Sequence, residues 1–172
     1  IVNSQVSGSN CPNSHCHPGS EDPSPKVFPI SEANITQWKT EVEANTLASP
    51  VCGLTWGPGK LTGDVLLNNN CTVIVRTPIW ITGTLDLNNT NIMRLSPEYG
   101  TTSGVIIVDG VTNINNNNKF EGTGEVGSIL LLLSTYDSRS NSIAAIDVNN
   151  TGNSGVLYAN NGIIEPGNSN SF

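Results

Sequence analysis

Three short stretches of this chain repeat one pattern, in which alternating apolar residues run into asparagine. They read Gly63-Asp-Val-Leu-Leu-Asn-Asn-Asn70, Gly83-Thr-Leu-Asp-Leu-Asn-Asn-Thr90 and Gly110-Val-Thr-Asn-Ile-Asn-Asn-Asn117. The alternation predicts a β-strand, and asparagine predicts a turn because it tolerates left-handed backbone and hydrogen-bonds locally. The equivalent residues Asn68, Asn88 and Asn115 are 20 and 27 positions apart. Such a period indicates a solenoid, whose stacked turns bring one asparagine above another.

Weaker copies of the pattern follow at residues 145–150 and 162–168. We therefore predict an all-β chain: a single-domain, parallel, right-handed β-helix solenoid with one short N-terminal α-helix. Residues 1–30 are expected to form a strand and a Pro/Ser/Cys-rich loop. A capping or flanking helix is expected over residues 31–45, and the β-helix body over residues 46–172.

The helix prediction depends on its end signals and on a narrow apolar stripe. Ser31 is a good N-cap, and Asn45 is a suitable stop. Ile35, Trp38 and Val42 recur at helical spacing. A small amphipathic helix ahead of the strands is expected to cover the open end or the flank of the solenoid, where exposed strand edges would otherwise pair with other chains.

The composition of the chain excludes some classes of function. The length of 172 residues fits one domain, charged residues make up 12%, and the net charge is −7. A negative chain with few lysines is a poor nucleic-acid binder, because phosphate neutralisation drives that affinity. No apolar run reaches the roughly 18–20 residues that span a bilayer. The chain begins at Ile1 and stops just after an asparagine turn, so we expect a segment of a longer polypeptide, cut at both ends.

Four cysteines fall into two pairs, Cys11 with Cys16 and Cys52 with Cys71. An even number of cysteines in a chain rich in Asn, Ser and Thr suits an oxidising, extracellular setting. Sequence alone allows three ways of pairing them. Local pairing is favoured, and the larger loop, of about 20 residues, would contribute roughly 3 kcal/mol in the chain-entropy model.

The densest local cluster is Cys11-Pro-Asn-Ser-His15-Cys16-His17. The favoured interpretation is a small disulfide loop with solvated histidines, which needs no cofactor. One alternative is a metal site formed by Cys11, His15, Cys16 and His17, because two thiolates and two imidazoles are typical zinc ligands. Another is haem attachment, since the stretch resembles a widened Cys-x-x-Cys-His sequence.

A second set of candidate residues lies on or beside the strands. Asp64, Asp86 and Asp109 are candidate ligand contacts, because carboxylates on stacked coils can act on polysaccharides or bind calcium. Trp80 alternates oppositely to its apolar neighbours, so an outward, sugar-stacking position is a further candidate. The simpler interpretation is that these are ordinary outward positions of alternating strands. We expect no catalytic residues.

Several stretches resemble a known family, the extracytoplasmic β-helix region of bacterial PilX-like or type IV pilin-like surface proteins of candidate phyla. The resemblance covers roughly Pro25 to the C-terminus and is carried by structural motifs. Asn160 stands where the family usually has proline. The matching stretches are Phe28–Ser31, Asn34–Lys39, Ile81–Leu85, Ser103–Gly110, Ile129–Thr135 and Gly155–Gly162. The resemblance implies a parallel β-helix at a cell surface or pilus and no catalytic residues.

The leading functional expectation is a non-enzymatic extracellular protein, a structural component of a surface or of a pilus-like filament, adhesive or self-assembling. Its partners would be its own copies or other surface and pilus subunits, and possible further ligands are glycans. The alternative is a carbohydrate-binding or polysaccharide-active β-helix. A third interpretation, a haem-carrying filament subunit, depends only on residues 11–17.

Overall fold

The computed structural model describes residues 29–139 and 143–167, and its elements lie in the compact unit Glu32–Phe172. An 11-residue helix, α1 (Glu32–Val42), precedes five stacked coils of short strands. The first coil contains β1 (Thr55–Trp56), β2 (Gly59–Leu61) and β3 (Val65–Asn68). The second contains β4 (Thr72–Val75), β5 (Ile79–Ile81) and β6 (Leu85–Asn88).

The later coils carry longer connections. The third coil contains β7 (Ile92–Leu95), β8 (Gly104–Val108) and β9 (Thr112–Asn115), with a 3-10 turn at Pro97–Tyr99. The fourth contains β10 (Lys119–Glu121), β11 (Leu130–Ser134) and β12 (Ile146–Asn149). The fifth contains β13 (Val156–Ala159) and β14 (Ile164–Pro166).

Equivalent strands of successive coils pair in parallel and form three sheets. The first sheet has the order β1-β4-β7-β10, the second β2-β5-β8-β11-β13, and the third β3-β6-β9-β12-β14. Each strand therefore pairs with the strand one coil away, which is the arrangement of a parallel β-helix. The predicted fold class is confirmed, while the right-handed coiling stays a prediction.

Most strand positions were predictable from the alternation of apolar residues. β3, β6 and β9 lie within the three asparagine repeats, as the sequence predicts. β1, β2 and β10 have only two or three residues each and lie outside any repeat, and each pairs with a strand of a neighbouring coil.

Asparagine forms the corner between the third sheet and the next coil. Consecutive residues there have left-handed backbone: Asn69 and Asn70, then Asn89 and Thr90, then Asn116 and Asn117. Asparagine adopts this conformation more readily than other residues with a side chain. The predicted stacking is confirmed, because Asn68, Asn88 and Asn115 lie opposite one another in the strand register.

The corner asparagines, which are exposed or half-buried, form two ladders on the outside of the coils. In one, the Nδ2 of Asn88 donates to the Oδ1 of Asn68, and that of Asn115 donates to Asn88, both at 3.1 Å. The second ladder runs beside the first from Asn69 through Asn89 to Asn116. Each step joins two coils, so the ladders hold the strand register from outside.

Glycine forms the corner between the second and third sheets. Gly83 donates its N–H to Gly63 O, and Gly110 donates to Gly83 O, both at 3.0 Å. A Cβ on Gly110 would lie 2.5 Å from Gly83 O, a distance that real Cβ atoms do not adopt. The glycine that opens each repeat in the sequence therefore allows successive corners to stack backbone on backbone.

Inside the coils, aliphatic side chains stack in columns. One column contains Val73, Met93 and Phe120, in register across the first sheet. Others lie on the second and third sheets, and nearly all members are fully buried. The columns fill the solenoid as close-packed apolar layers, and burial of this apolar surface is the main favourable contribution to folding.

At the asparagine corner a column of residues stacks from coil to coil, and every member except the exposed Cys52 is buried. The strand registers place five residues one above another in successive coils. They are Cys52, Cys71, Asn91, Asn118 and Asn153. The three asparagines are each only 1% exposed. We call these five residues the inner column.

Each asparagine of the inner column satisfies backbone groups of the coil before it. The Oδ1 of Asn91 accepts the N–H of Cys71 at 3.1 Å, that of Asn118 accepts from Asn91 at 3.0 Å, and that of Asn153 accepts from Asn118 at 2.8 Å. The side-chain amides donate to carbonyls of the turn, for example from Asn91 to Asn88 O at 2.8 Å. Buried backbone groups that the corner leaves unpaired are thus hydrogen-bonded.

The disulfide between Cys52 and Cys71 is the first step of the same column. Their Cα atoms are 5.0 Å apart, close to the spacing of neighbouring strands. A covalent link here joins the first two coils at the position where amides join the later ones. The predicted pairing of Cys52 with Cys71 is confirmed, whereas Cys11 and Cys16 lie outside the described residues.

Helix α1 covers the flank of the solenoid and packs on the outer face of the second sheet. Its residues Ile35 and Val42 are buried. Ile107 and Leu133 of that outer face are fully buried, although strand alternation directs them away from the core. The helix contacts β5 and β2 of this sheet, and Lys39 pairs with Asp109 at the end of β8.

Asn118→Ala is expected to destabilise the fold by about 3 kcal/mol, because it leaves the buried N–H of Asn91 and the carbonyls of Leu87 and Asn115 without their partner. Urea denaturation of both proteins measures the loss. The matched control is Asn115→Ala on the exposed ladder, which should cost about 1 kcal/mol or less. Equal losses in the two variants would contradict a special role for the inner column.

Thr112→Val is expected to stabilise the protein by about 1 kcal/mol. Thr112 lies in the core between Leu85 and Ile146, and its buried hydroxyl has no hydrogen-bond partner in the described part of the chain. Valine has nearly the same shape and removes the cost of burying that hydroxyl. The midpoint of urea unfolding should rise, and a fall would show that the hydroxyl is satisfied.

Candidate functional site

The three predicted carboxylates occupy different positions of the coil. Asp64 lies at the glycine corner before β3, Asp86 lies in the middle of β6, and Asp109 directly follows β8. The register places Asp86 opposite Leu66 and Asn113, so neither Asp64 nor Asp109 stacks on it. The structure therefore does not bring the three together in one column.

Asp109 is the centre of a polar cluster between α1 and the second sheet. Its Oδ1 lies 2.5 Å from Lys39 Nζ and accepts the hydroxyl of Thr135 at 2.6 Å. Its Oδ2 accepts the indole N–H of Trp80 at 2.7 Å. Lys60 Nζ lies 4.1 Å from the centre of the Trp80 ring. We call Lys39, Lys60, Trp80, Asp109 and Thr135 the helix clamp.

The helix clamp connects five elements of the chain, and Lys60 belongs to β2. Lys39 comes from α1, Trp80 from β5, and Asp109 and Thr135 from the ends of β8 and β11. The side chains of Lys39 and Asp109 are 23% and 29% exposed, so their ion pair is screened less than an open surface pair. Asp109 and Trp80, which the sequence predicts as ligand contacts, therefore both contact Lys39 of α1 and hold the helix on the sheet.

Asp86 belongs to a flat polar surface on the outer face of the third sheet. Its Oδ1 accepts the side-chain amide of Asn113 at 2.6 Å. The same column continues through Asp147, opposite Asn113, to Glu165, opposite Asp147. The neighbouring column is the exposed ladder of Asn68, Asn88 and Asn115. We call this surface the asparagine face, and side-chain amides of Asn113 and Asn149 donate to its carboxylates Asp86 and Asp147.

Asp64 has a local structural contact. Its Oδ1 accepts the backbone N–H of Thr84 in the next coil at 2.7 Å, although the side chain is exposed. This bond adds to those that hold the glycine corner in register. Asp64 therefore supports the strand that follows it.

The aromatic residues separate into different environments. Trp56 is buried in the core, and its indole donates to Ala48 O at 2.9 Å. Trp38 and Tyr99 are half-buried and line one groove beside α1. Burial raises the pKa of the Tyr158 phenol, and the negative charge of Glu32 adds to the shift.

A hydrogen bond from Arg139 lowers the pKa of the exposed Asp137 carboxyl.

The proposed metal or haem position at Cys11, His15, Cys16 and His17 lies outside the described residues. Within residues 29–139 and 143–167, no group of three or more His, Cys, Asp or Glu side chains is placed to hold a metal ion. No helix in this part of the chain has the length and apolar character needed to cross a membrane.

Sequence reasoning missed the inner column and the cationic half of the helix clamp. The inner asparagines carry one usable signal, since Cys71, Asn91 and Asn118 each end a four-residue corner of the form Asn-Asn-x-(Asn or Cys). Lys39 and Lys60 carry none, because exposed lysines on a helix or strand are usually solvated. The packing of α1 on the sheet brings Lys39 to Trp80 and Asp109, and the register of β2 with β5 places Lys60 beside Trp80.

Comparison with known proteins yields no relative from which a function can be transferred. No protein-family model, no curated protein and no solved structure matches the chain. The class of protein that the described residues define is a parallel β-solenoid with asparagine ladders and a helix on its flank.

Asp109→Ala is expected to destabilise the protein by about 2–3 kcal/mol, because it removes two hydrogen bonds and the partner of a half-buried ammonium. Thermal unfolding gives the loss, and the fluorescence of Trp80 should change. The control is Asp137→Ala, which removes an exposed pair with Arg139 and should leave stability unchanged. Unchanged stability of Asp109→Ala would show that apolar packing alone holds the helix.

Proposed function

We propose that this protein is a non-enzymatic structural solenoid of an extracellular surface or a pilus-like filament. The observation that carries the proposal is the inner column, in which a disulfide and three buried asparagines lock five successive coils together. Such locking favours a rigid, durable body. A disulfide in that role also suits an oxidising setting outside the cytoplasm, although it does not decide the location.

The contacts of the predicted carboxylates support a structural role. Asp109 binds the helix, Asp86 binds Asn113, and Asp64 binds the next coil. General acid–base catalysis needs a carboxyl group that can reach a substrate and change its protonation during the reaction. Carboxylates that serve as acceptors within the fold are less suited to this task.

Exposed apolar side chains on the terminal coils support association with copies of the chain or with other surface subunits. Leu54 and Leu66 of the first coil are 58% and 56% exposed. Ile163, beside β14 in the last coil, is 53% exposed. Within the described residues, β1 and β3 of the first coil and β13 and β14 of the last are edge strands, whereas β2 pairs with Thr46. Apolar side chains beside free edges favour stacking of one solenoid on another.

The proposal is tested on the disulfide-intact chain by light scattering over a range of concentrations and by electron microscopy. We expect concentration-dependent association that weakens in Leu54→Ser/Leu66→Ser. Val126→Ser is the matched control, because Val126 is 95% exposed on a connection in the fourth coil. A strict monomer that also fails to bind cell surfaces or glycans would contradict the proposal. So would release of reducing sugar that Asp86→Asn/Asp147→Asn abolishes.

Carbohydrate binding is the second candidate function, and one observation favours it. Beside α1 the solenoid has a groove that combines aromatic, apolar and polar side chains, and the predicted contacts Asp64, Asp86, Asp109 and Trp80 do not line it. A sugar-binding surface would serve adhesion without any catalytic group. Binding to a glycan array tests this candidate independently of association.

A further inference from the structure

A groove of about 340 Å³ lies between α1, the outer face of the second sheet and the turn at Pro97–Tyr99. Its size falls in the range of small-molecule sites, roughly 300–1,000 Å³. The residues that matter for the argument are Trp38, Glu41, Thr77, Tyr99, Val105 and Leu131. All of them belong to the compact unit that holds the solenoid.

The floor of the groove is apolar and rigid. Val105 and Leu131 are opposite each other in β8 and β11. They occupy the outward column next to Ile107 and Leu133, which are fully buried. Leu131 remains partly exposed. Val105 and Leu131 therefore form an apolar strip that lines the groove together with Trp38 and Glu41 of α1.

The aromatic wall at Tyr99 is held in place by the backbone. The Tyr99 hydroxyl accepts the N–H of Thr77 and donates to the carbonyl of Thr77, both at 2.9 Å. These two bonds fix the ring before any ligand arrives. An aromatic group that is already fixed binds with a lower entropic cost than one that must be ordered.

Three polar groups of the groove have unused hydrogen-bonding capacity. The indole N–H of Trp38 and the hydroxyl of Thr77 have no partner among the described residues. The Glu41 carboxylate accepts one hydrogen bond, from Gln37 at 3.0 Å, which leaves further lone pairs. Above the apolar floor, the Trp38 indole is thus available as a donor, the Glu41 carboxylate as an acceptor, and the Thr77 hydroxyl as both.

We propose that this groove binds a neutral pyranose sugar, as one residue of a glycan. A pyranose has an apolar face of C–H groups that can lie on an aromatic ring, and hydroxyls that need both donors and acceptors. The groove offers both features. The Glu41 carboxylate and the net charge of −7 disfavour anionic sugars. The inference rests on the second candidate function above and gives it a site and a ligand class.

The test begins with a glycan array that carries neutral and acidic oligosaccharides, probed with the intact chain. The strongest neutral ligand is then titrated against groove variants by calorimetry. Trp38→Ala should weaken binding tenfold or more, and Glu41→Gln and Thr77→Val should each weaken it about three- to tenfold. Glu41 and Thr77 are not buried, so these two variants keep the test valid if Trp38→Ala fails to fold.

The control is Asp137→Ala, which removes an exposed ion pair with Arg139 outside the groove and should bind the ligand like the original chain and melt at the same temperature. Neutral-glycan binding that persists in all three groove variants would overturn the groove and leave the carbohydrate-binding candidate in place. Binding to acidic glycans alone would overturn the proposed ligand class. No binding to any glycan would overturn both the groove and the second candidate, while the association experiment would still decide the structural proposal.

Discussion

The fold depends on how the backbone is satisfied at the asparagine corner. Two successive left-handed residues turn the chain sharply, and the residue after them points back into the solenoid. The turn leaves N–H and carbonyl groups buried inside the coil with no strand partner, and each such orphan would cost about 1–3 kcal/mol. An inward asparagine offers an acceptor and two donors from one compact side chain. Asn91 and Asn118 both accept a backbone N–H and donate to backbone carbonyls. The left-handed corner therefore needs the inner column to satisfy its backbone groups, and the inner column needs the corner to direct its side chains inward.

In the first two coils the inner column has cysteines in place of asparagine. An asparagine of the inner column acts on the coil before it, and within the described residues no coil precedes the first one. Cys52 occupies this first position and joins covalently to Cys71 of the second coil instead. The disulfide therefore joins the first two coils at the position where asparagine side chains join the later coils, and it sets the spacing between those first two coils.

The sequence predicts the outward features of this fold well and the inward polar ones poorly. The repeats at Gly63, Gly83 and Gly110 reveal period, strand and corner, because each is a local property of consecutive residues. The exposed ladder at Asn68 and Asn88 follows from the period. The inward position of Asn91 does not, since asparagine is rarely buried and its burial depends on the coil beneath. Likewise, Asp109 and Trp80 look like contact residues until α1 brings Lys39 to them.

Helix α1, whose Lys39 contacts Asp109 and Trp80, also forms one side of the groove on the second sheet. A stack of flat sheets offers broad faces but no enclosed site, as the asparagine face illustrates. When α1 lies on the sheet, its side and the neighbouring apolar strip form a groove with two walls. Trp38 precedes Lys39 in the helix, so the ion pair of Lys39 with Asp109 also limits where the Trp38 ring can lie. A change that weakens the helix clamp would therefore also change the shape of the groove. In this way the structural role of Asp109 is linked to any ligand that the groove accepts.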